Sequence, residues 1–210
     1  MAVDSQGHAY VIGTTTQKWP EFPFRRAFQT WIGGPYYQNQ LNGFVMKMNP
    51  SGTAVDYSSL LGGTGLINFG KRIVVDTSNS AYVTGQTEST DFPVTQFAFQ
   101  KSNGGNFDSF VAKIVPICDA GPTDPSVTIC GLADGVTVHS PVTVTANTRD
   151  SASPVTRTEV WVDSVKVYQV KLAAIYAKIS MPVGTHRLTV KSLDHSGLLF
   201  KKTVYINVAP

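Results

Sequence analysis

Ile73-Val-Val-Asp76, then four residues, then Ala81-Tyr82-Val83-Thr84-Gly85: this stretch decides the fold, because the chain contains it twice. Met1-Ala-Val-Asp4 is likewise followed by Ala9-Tyr10-Val11-Ile12-Gly13, at an offset of 72 residues. The register continues outward with small slips. Phe22-Pro23 matches Phe92-Pro93, Ala27-Phe28-Gln29 matches Ala98-Phe99-Gln100, and Gly33-Gly34 matches Gly104-Gly105. Gly43-Phe-Val-Met-Lys-Met48 matches Ser109-Phe-Val-Ala-Lys-Ile114. Six matched blocks in one order make an internal repeat, and a repeat of this length is one supersecondary unit that needs neighbours to cover its faces.

Each copy reads as short strands separated by turns. Asp4-Ser-Gln-Gly7 and Asp76-Thr-Ser-Asn79 sit between β-rich runs and carry the residue types that accept turn geometry. Asn49-Pro-Ser-Gly52 is a further turn, and the Gly62-Gly-Thr-Gly65 cluster reads as the link between copies. The expected four-stranded unit holds residues 55–61, 70–76, 81–87 and 108–114. Four-stranded antiparallel units repeating in this way are the pattern of a β-propeller. The strings VDxxxxAYVxGxT, DFPVT, AFQ and FVAKI, with NPSGTxxxYSSLLGG between copies, resemble the bacterial β-propeller repeats known as SBBP repeats, over about residues 1–115. That resemblance implies a structural module and supplies no catalytic residues. Fewer than two full blades are present, so the expectation is the C-terminal part of a larger repeat protein, with faces containing Val3, Val11, Phe44, Val75, Val83 and Phe110 partly uncovered. The partners this implies are the missing blades or other copies of the chain.

Beyond Ile117 the composition changes. Residues 118–125, with two prolines and a glycine, read as a linker between a repeat region at 1–117 and a second domain at 126–210. In the second domain apolar and polar residues alternate, as in Val142/Val144/Ala146, Val160/Val162, Leu188/Val190 and Val204/Ile206/Val208. Period two predicts half-buried strands at 126–130, 141–146, 156–162, 165–170, 175–181, 185–193 and 199–208, with Asp163-Ser164 as a tight hairpin. Seven short antiparallel strands make an immunoglobulin-like sandwich. Val127-Thr-Ile-Cys130, Ser140-Pro-Val-Thr-Val-Thr145, Val160-Trp-Val-Asp163 and Gly184-Thr-His-Arg-Leu-Thr-Val190 resemble the bacterial Ig-like domains appended to secreted proteins. The fold class expected is therefore all-β: an incomplete propeller of about two antiparallel blades joined to an Ig-like β-sandwich.

The 210 residues are 42% hydrophobic and 15% charged, a globular composition. No run approaches the ~18 apolar residues of a membrane span, and the first fifteen residues lack a signal-peptide pattern. The net charge of +3 is evenly divided, with 8 Lys/Arg against 7 Asp/Glu in residues 1–117 and 9 against 7 thereafter, so no basic face for nucleic acid is expected. Cys118 and Cys130 stand twelve residues apart around the linker. A disulfide there would contribute about 3 kcal/mol by loop entropy, would tie the domains together and would require an extracellular compartment. Two free thiols, or a metal or nucleophilic role, are the alternatives, and no Cys-x-x-Cys or neighbouring histidine favours the latter.

The polar residues form no catalytic motif in the sequence. His8, His139, His186 and His195 are scattered and read as surface histidines, and Asp4 and Asp76 read as turn caps. Asp56, Glu88, Asp91 and Asp108 single out no glycosidase pair, and Gly-x-Ser-x-Gly is absent. No catalytic residue, metal or cofactor is expected. Trp19, Trp31, Tyr36 and Tyr37 have no counterpart in the second copy and form the candidate binding surface for a protein or carbohydrate ligand. The expected function is a non-catalytic scaffold or interaction module, secreted or at a bacterial cell surface as the resemblances imply, in adhesion or ligand binding. The alternatives are a piece of a propeller-based glycoside hydrolase or lyase whose active site lies on other blades, and a truncated product that never folds alone.

Overall fold

The computed structural model describes residues 1–17, 20–32, 40–95, 98–115, 118, 121 and 123–210. Among the described residues there is no helix, and hence none long and apolar enough to cross a membrane. The chain divides into two compact units, Met1–Pro116 and Ile117–Pro210.

The first unit contains two antiparallel sheets. One is built from β1 (Ala2–Val3), β2 (Ala9–Thr15), β3 (Asn42–Met48) and β4 (Val55–Leu61), in that order. The other is built from β5 (Asn68–Val75), β6 (Ala81–Thr87) and β7 (Asp108–Ile114), also in sequence order. The strand at 55–61 therefore closes the first sheet by pairing with β3, rather than opening the second as expected. The sequence repeat survives this shift: β5, β6 and β7 occupy the places of β1, β2 and β3.

Matching residues do matching work. The turns leading into β2 and β6 place Gly7 and Asn79 at φ of +88° and +61°, each donating its N–H back to the aspartate carbonyl three residues earlier. Glycine and asparagine tolerate that left-handed geometry better than other residues. Across the strands, Gly13 stands opposite Phe44 and Gly85 opposite Phe110. In both pairs the ring fills the space a Cβ would take, 2.6 Å from the glycine's ideal Cβ position. This explains why the Gly of AYVxG and the Phe of FVxK recur together.

The sheets stack through β2 and β5, where Ile12 lies directly over Gly70. Tyr10, Val45, Leu61, Ile73, Ala81, Val83 and Phe110 form the core between them, and Phe92 stacks on Phe110 at 4.5 Å. Val83 and Phe110, expected to be uncovered, are thus buried, because their face is the one turned toward the first sheet. Val3 is exposed, while Val11, Phe44 and Val75 are half-buried. A smaller cluster of Phe22, Ile32 and Leu60 covers part of the first sheet's other side.

The second unit is a sandwich. Its smaller sheet runs β13 (Ala174–Ile179), β10 (Val142–Arg149), β8 (Ser126–Cys130). Its larger sheet runs β12 (Val165–Val170), β11 (Val155–Val162), β14 (Gly184–Asp194), β15 (Leu199–Ala209), β9 (Thr137–His139). Val142, Val144, Ile175 and Ile179 of one sheet share a core with Val160, Leu188, Val190, Val204 and Ile206 of the other. Burial of each such side chain is worth roughly 1.5–3 kcal/mol. Seven strands fall close to the expected positions. The additional one, β9, is three residues long and pairs in parallel with β15.

The stretch expected to be a linker is anchored to the second unit. Cys118 is bonded to Cys130 with Cα atoms 5.8 Å apart, and its carbonyl accepts a hydrogen bond from Asn147 Nδ2 at 3.1 Å. Asp124 accepts the Ser151 N–H at 3.0 Å and lies 3.6 Å from Arg149 Nε. The bridge closes a loop within this unit instead of tying it to the first.

Candidate functional site

The residues expected to form a binding surface lie mostly outside the described residues: Trp19, Tyr36 and Tyr37 are not among them. Trp31 is half-buried, and its carbonyl accepts a hydrogen bond from Gln29 Nε2 at 3.4 Å. Phe22 and Phe24, its aromatic neighbours in sequence, pack on each other at 4.9 Å and belong to the small cluster with Ile32 and Leu60.

Of the four acidic candidates, Glu88, Asp91 and Asp108 are committed to the backbone, and Asp56 lies 3.6 Å from His8 Nε2. The crossover from β4 to β5 is held by Asp91, which accepts the Thr64 N–H and hydroxyl at 2.8 and 2.9 Å, and by Glu88, which accepts the Ile67 N–H at 2.9 Å. Ser89 Oγ accepts the Gly65 N–H at 2.9 Å. Asp108 accepts the Gly104 N–H at 2.6 Å. Asp91, Ser89 and Glu88 satisfy orphan donors of the partly buried glycine-rich crossover, and Asp108 does so in the exposed loop before β7.

His186, expected at the surface, is buried. Its Nδ1 lies 2.6 Å from Asp163 Oδ2 and its Nε2 lies 2.9 Å from the Pro182 carbonyl. Both ring nitrogens face acceptors, so the imidazolium satisfies both. The Asp163 hydrogen bond, then the Pro182 carbonyl, raise the His186 pKa against desolvation, while the same hydrogen bond lowers that of Asp163. On the outer face of the larger sheet, Lys191 Nζ sits 3.6 Å above the Trp161 ring, whose Nε1 donates to Glu159 at 2.8 Å.

The feature that the sequence did not disclose is an Asp–Tyr–Lys cluster that recurs in both repeats. Asp4 Oδ1 accepts the N–H of Gln6 and of His8 at 3.0 and 2.9 Å, and Asp76 Oδ1 accepts those of Ser78 and Ser80 at 2.9 Å each. This is the expected turn capping. Each carboxylate also takes a hydroxyl hydrogen bond at 3.2 Å, Asp4 from Tyr10 and Asp76 from Tyr82. Each lies 3.6 Å from a lysine on the third strand, Lys47 or Lys113, and each lysine sits 4.9 Å above the tyrosine ring. The matching Tyr and Lys within the repeated blocks were the available signal.

The clusters differ in exposure and in one partner, the His8 imidazole, whose Nδ1 lies 3.1 Å from Asp4 Oδ1 and has no counterpart at Asp76. The Asp4 and Lys47 side chains are 1% and 14% exposed, whereas those of Asp76 and Lys113 are 30% and 48% exposed. For Asp4, desolvation would raise the pKa, but the His8 N–H, its imidazole and the Gln6 N–H outweigh it and bring the carboxyl to about 2. Asp76 is lowered chiefly by the Ser80 N–H, and the Lys113 ammonium is raised chiefly by its interaction with Tyr82. The contrast extends along the strands: Val45 is 0% exposed while its counterpart Val111 is 76% exposed. Phe28 packs against the core, and its counterpart Phe99 projects fully into solvent. The first sheet's face is covered by the second sheet, and the equivalent face of the second sheet is open.

Two family models match the chain, one within each unit. A family model described as "Beta-propeller repeat" matches residues 56–93, and one described as "Bacterial Ig domain" matches residues 125–190. No curated protein is a significant match to the chain. Among solved structures, the fibronectin(III)-like modules of Clostridium thermocellum CbhA are 20% identical, with a TM-score of 0.36, 39% of this chain covered and 94% of theirs. The endo-beta-1,4-mannanase of Thermotoga petrophila is 14% identical, with a TM-score of 0.35, 42% of this chain covered and 20% of that one. The extracellular domain of a hybrid two-component system from B. thetaiotaomicron is 11% identical, with a TM-score of 0.28 and coverage of 81% and 30%. The chain spans well under half the length of these last two structures.

Proposed function

We propose that the chain is a non-catalytic scaffold and interaction module of an extracellular or cell-surface protein, in which repeat sheets and an Ig-like sandwich present surfaces for adhesion or ligand binding. The observation that carries this reading is the use of the polar side chains. Asp4, Asp76, Glu88, Asp91 and Asp108 each hold backbone N–H groups of turns, and His186 and Asp163 hold each other. A general acid or nucleophile needs a free, converging partner group. The match to a bacterial Ig domain supports the extracellular setting, and a disulfide between Cys118 and Cys130 suits an oxidising compartment.

The test pairs two measurements on the purified chain. Reducing-sugar release from a panel of polysaccharides is expected to be nil, and a glycan array with a surface-protein pull-down is expected to return a ligand. Turnover that follows the chain through purification would overturn the reading.

A further inference from the structure

We infer that the open face of the β5–β6–β7 sheet is a docking surface for a second copy of this chain, which seats on it the outer face of its own β1–β4 sheet. The inference deepens the scaffold reading by naming a partner, and it stands on an interface the molecule already contains.

Within one chain, the face of the first sheet bearing Tyr10, Ile12, Val45 and Lys47 packs on the face of the second bearing Ile73, Val83 and Phe110. The repeat gives each face an equivalent: one lies on the open side of the second sheet, the other on the first sheet's outer side, where Phe22 and Ile32 cover the Phe44 and Leu60 end. Tyr82, Thr84, Val111 and Lys113 stand where Tyr10, Ile12, Val45 and Lys47 stand, and they face solvent or are half-buried. On the opposite flank, Val11 and Met46 pair across β2 and β3 as Val83 and Ala112 do across β6 and β7. Val3, at the position of Val75, shares that flank and is 58% exposed.

The two flanks are therefore the two halves of one interface, held apart on a single chain. A second copy brings them together with the relation the two sheets already show. Electrostatics agree, because Asp76 and Lys113 neutralise each other, as Asp4 and Lys47 do where that cluster is buried. Burying an exposed apolar flank supplies the driving force. Such a contact is heterologous: each copy offers one surface and accepts on the other, so copies add head to tail until a ring closes.

Light scattering and sedimentation of the full chain test this, over a concentration range of about a hundredfold reaching high micromolar. Oligomers that grow with concentration are expected. Val111→Asp and Val3→Asp each alter an exposed residue, so each variant keeps its circular dichroism and melting temperature. Each should weaken self-association by about tenfold or more. An equimolar mixture should form one-to-one dimers and nothing larger, because each variant retains the surface the other lacks. A chain that stays monomeric throughout overturns the inference. So do oligomers indifferent to both variants, or a mixture that fails to dimerise. None of these outcomes depends on whether the chain binds a glycan or protein ligand, so failure here is separable from failure of the scaffold reading.

Discussion

Replacing Gly85 by alanine tests the logic of the repeat at its tightest point. A Cβ at this position would lie 1.9 Å from the Phe69 carbonyl oxygen and 2.6 Å from Cε1 and Cζ of Phe110. The ring has little room to withdraw, since its other side is stacked on Phe92 at 4.5 Å. The carbonyl belongs to β5, whose register beside β6 is already irregular between Gly70 and Arg72. Overpacking a core costs about 1–3 kcal/mol, and a backbone obstacle places Gly85→Ala at the upper end. The smaller unfolded-state entropy of alanine returns only about 0.4–1 kcal/mol. The equivalent Gly13→Ala meets the Phe44 ring, with Cε1 at 2.6 Å and Cζ at 2.8 Å, but no backbone atom within 3.6 Å, and that half-buried ring lies tilted 6.0 Å from Phe22 instead of stacked at 4.5 Å. Its net cost is about 1 kcal/mol. Hydrogen exchange resolved along the chain separates the two variants, because 1.4 kcal/mol is a factor of ten. Amides of β6 and β7 should exchange about thirty- to seventyfold faster in Gly85→Ala, and those of β2 and β3 at most about tenfold faster in Gly13→Ala. The second unit should be unchanged in both. Equal effects, or a Gly85→Ala variant as protected as the parent, would refute the reasoning.

Other outcomes follow from the polar groups. Asp4→Ala leaves Lys47 and Tyr10 buried without their anion and should cost about 3 kcal/mol in denaturant unfolding of the first unit, whereas Asp76→Ala, at the exposed copy of the cluster, should cost far less. The pKa of His186 is raised in the folded state, so its contribution is full below its unfolded value near ~6.5 and is lost as pH rises through the folded value. Asp163 is lowered, so its contribution is present above its unfolded value near ~3.9 and is lost as pH falls through the folded one. Melting of the second unit should therefore show a plateau between those limits, and His186→Gln should remove the fall on the alkaline side. Reduction of the Cys118–Cys130 bridge should destabilise the second unit by about 2–3 kcal/mol in urea titrations and leave exchange in the first unit untouched.

Strand positions were legible because period two is a local property: Val160 and Val162, or Val204 and Ile206, announce a buried face wherever their partners lie. Which sheet a strand joins is not local. The repeat can be cut at any point along its period, so the sequence did not reveal that Val55–Leu61 closes the first sheet. The face to be covered was hidden for the same reason. Alternation separates Val83 from Thr84 but does not say which side receives the neighbouring sheet, and Val111 rather than Val83 proved to be on the open side. Thr137–His139 is too short to show a period and owes its strand to pairing with β15. The Asp–Tyr–Lys cluster was half legible. The aspartate declared itself by its turn, but Lys47 reaches Asp4 from a strand more than forty residues away.

The central claim is that equivalent positions of the repeat are buried in the first sheet and open in the second. Single cysteines at Val45 and at Val111 test it, since the chain otherwise has no free thiol. In the monomer, Val111→Cys should react with a thiol reagent at the rate of an unfolded peptide, while Val45→Cys should react only as the first unit opens. Equal rates at the two positions would contradict the account.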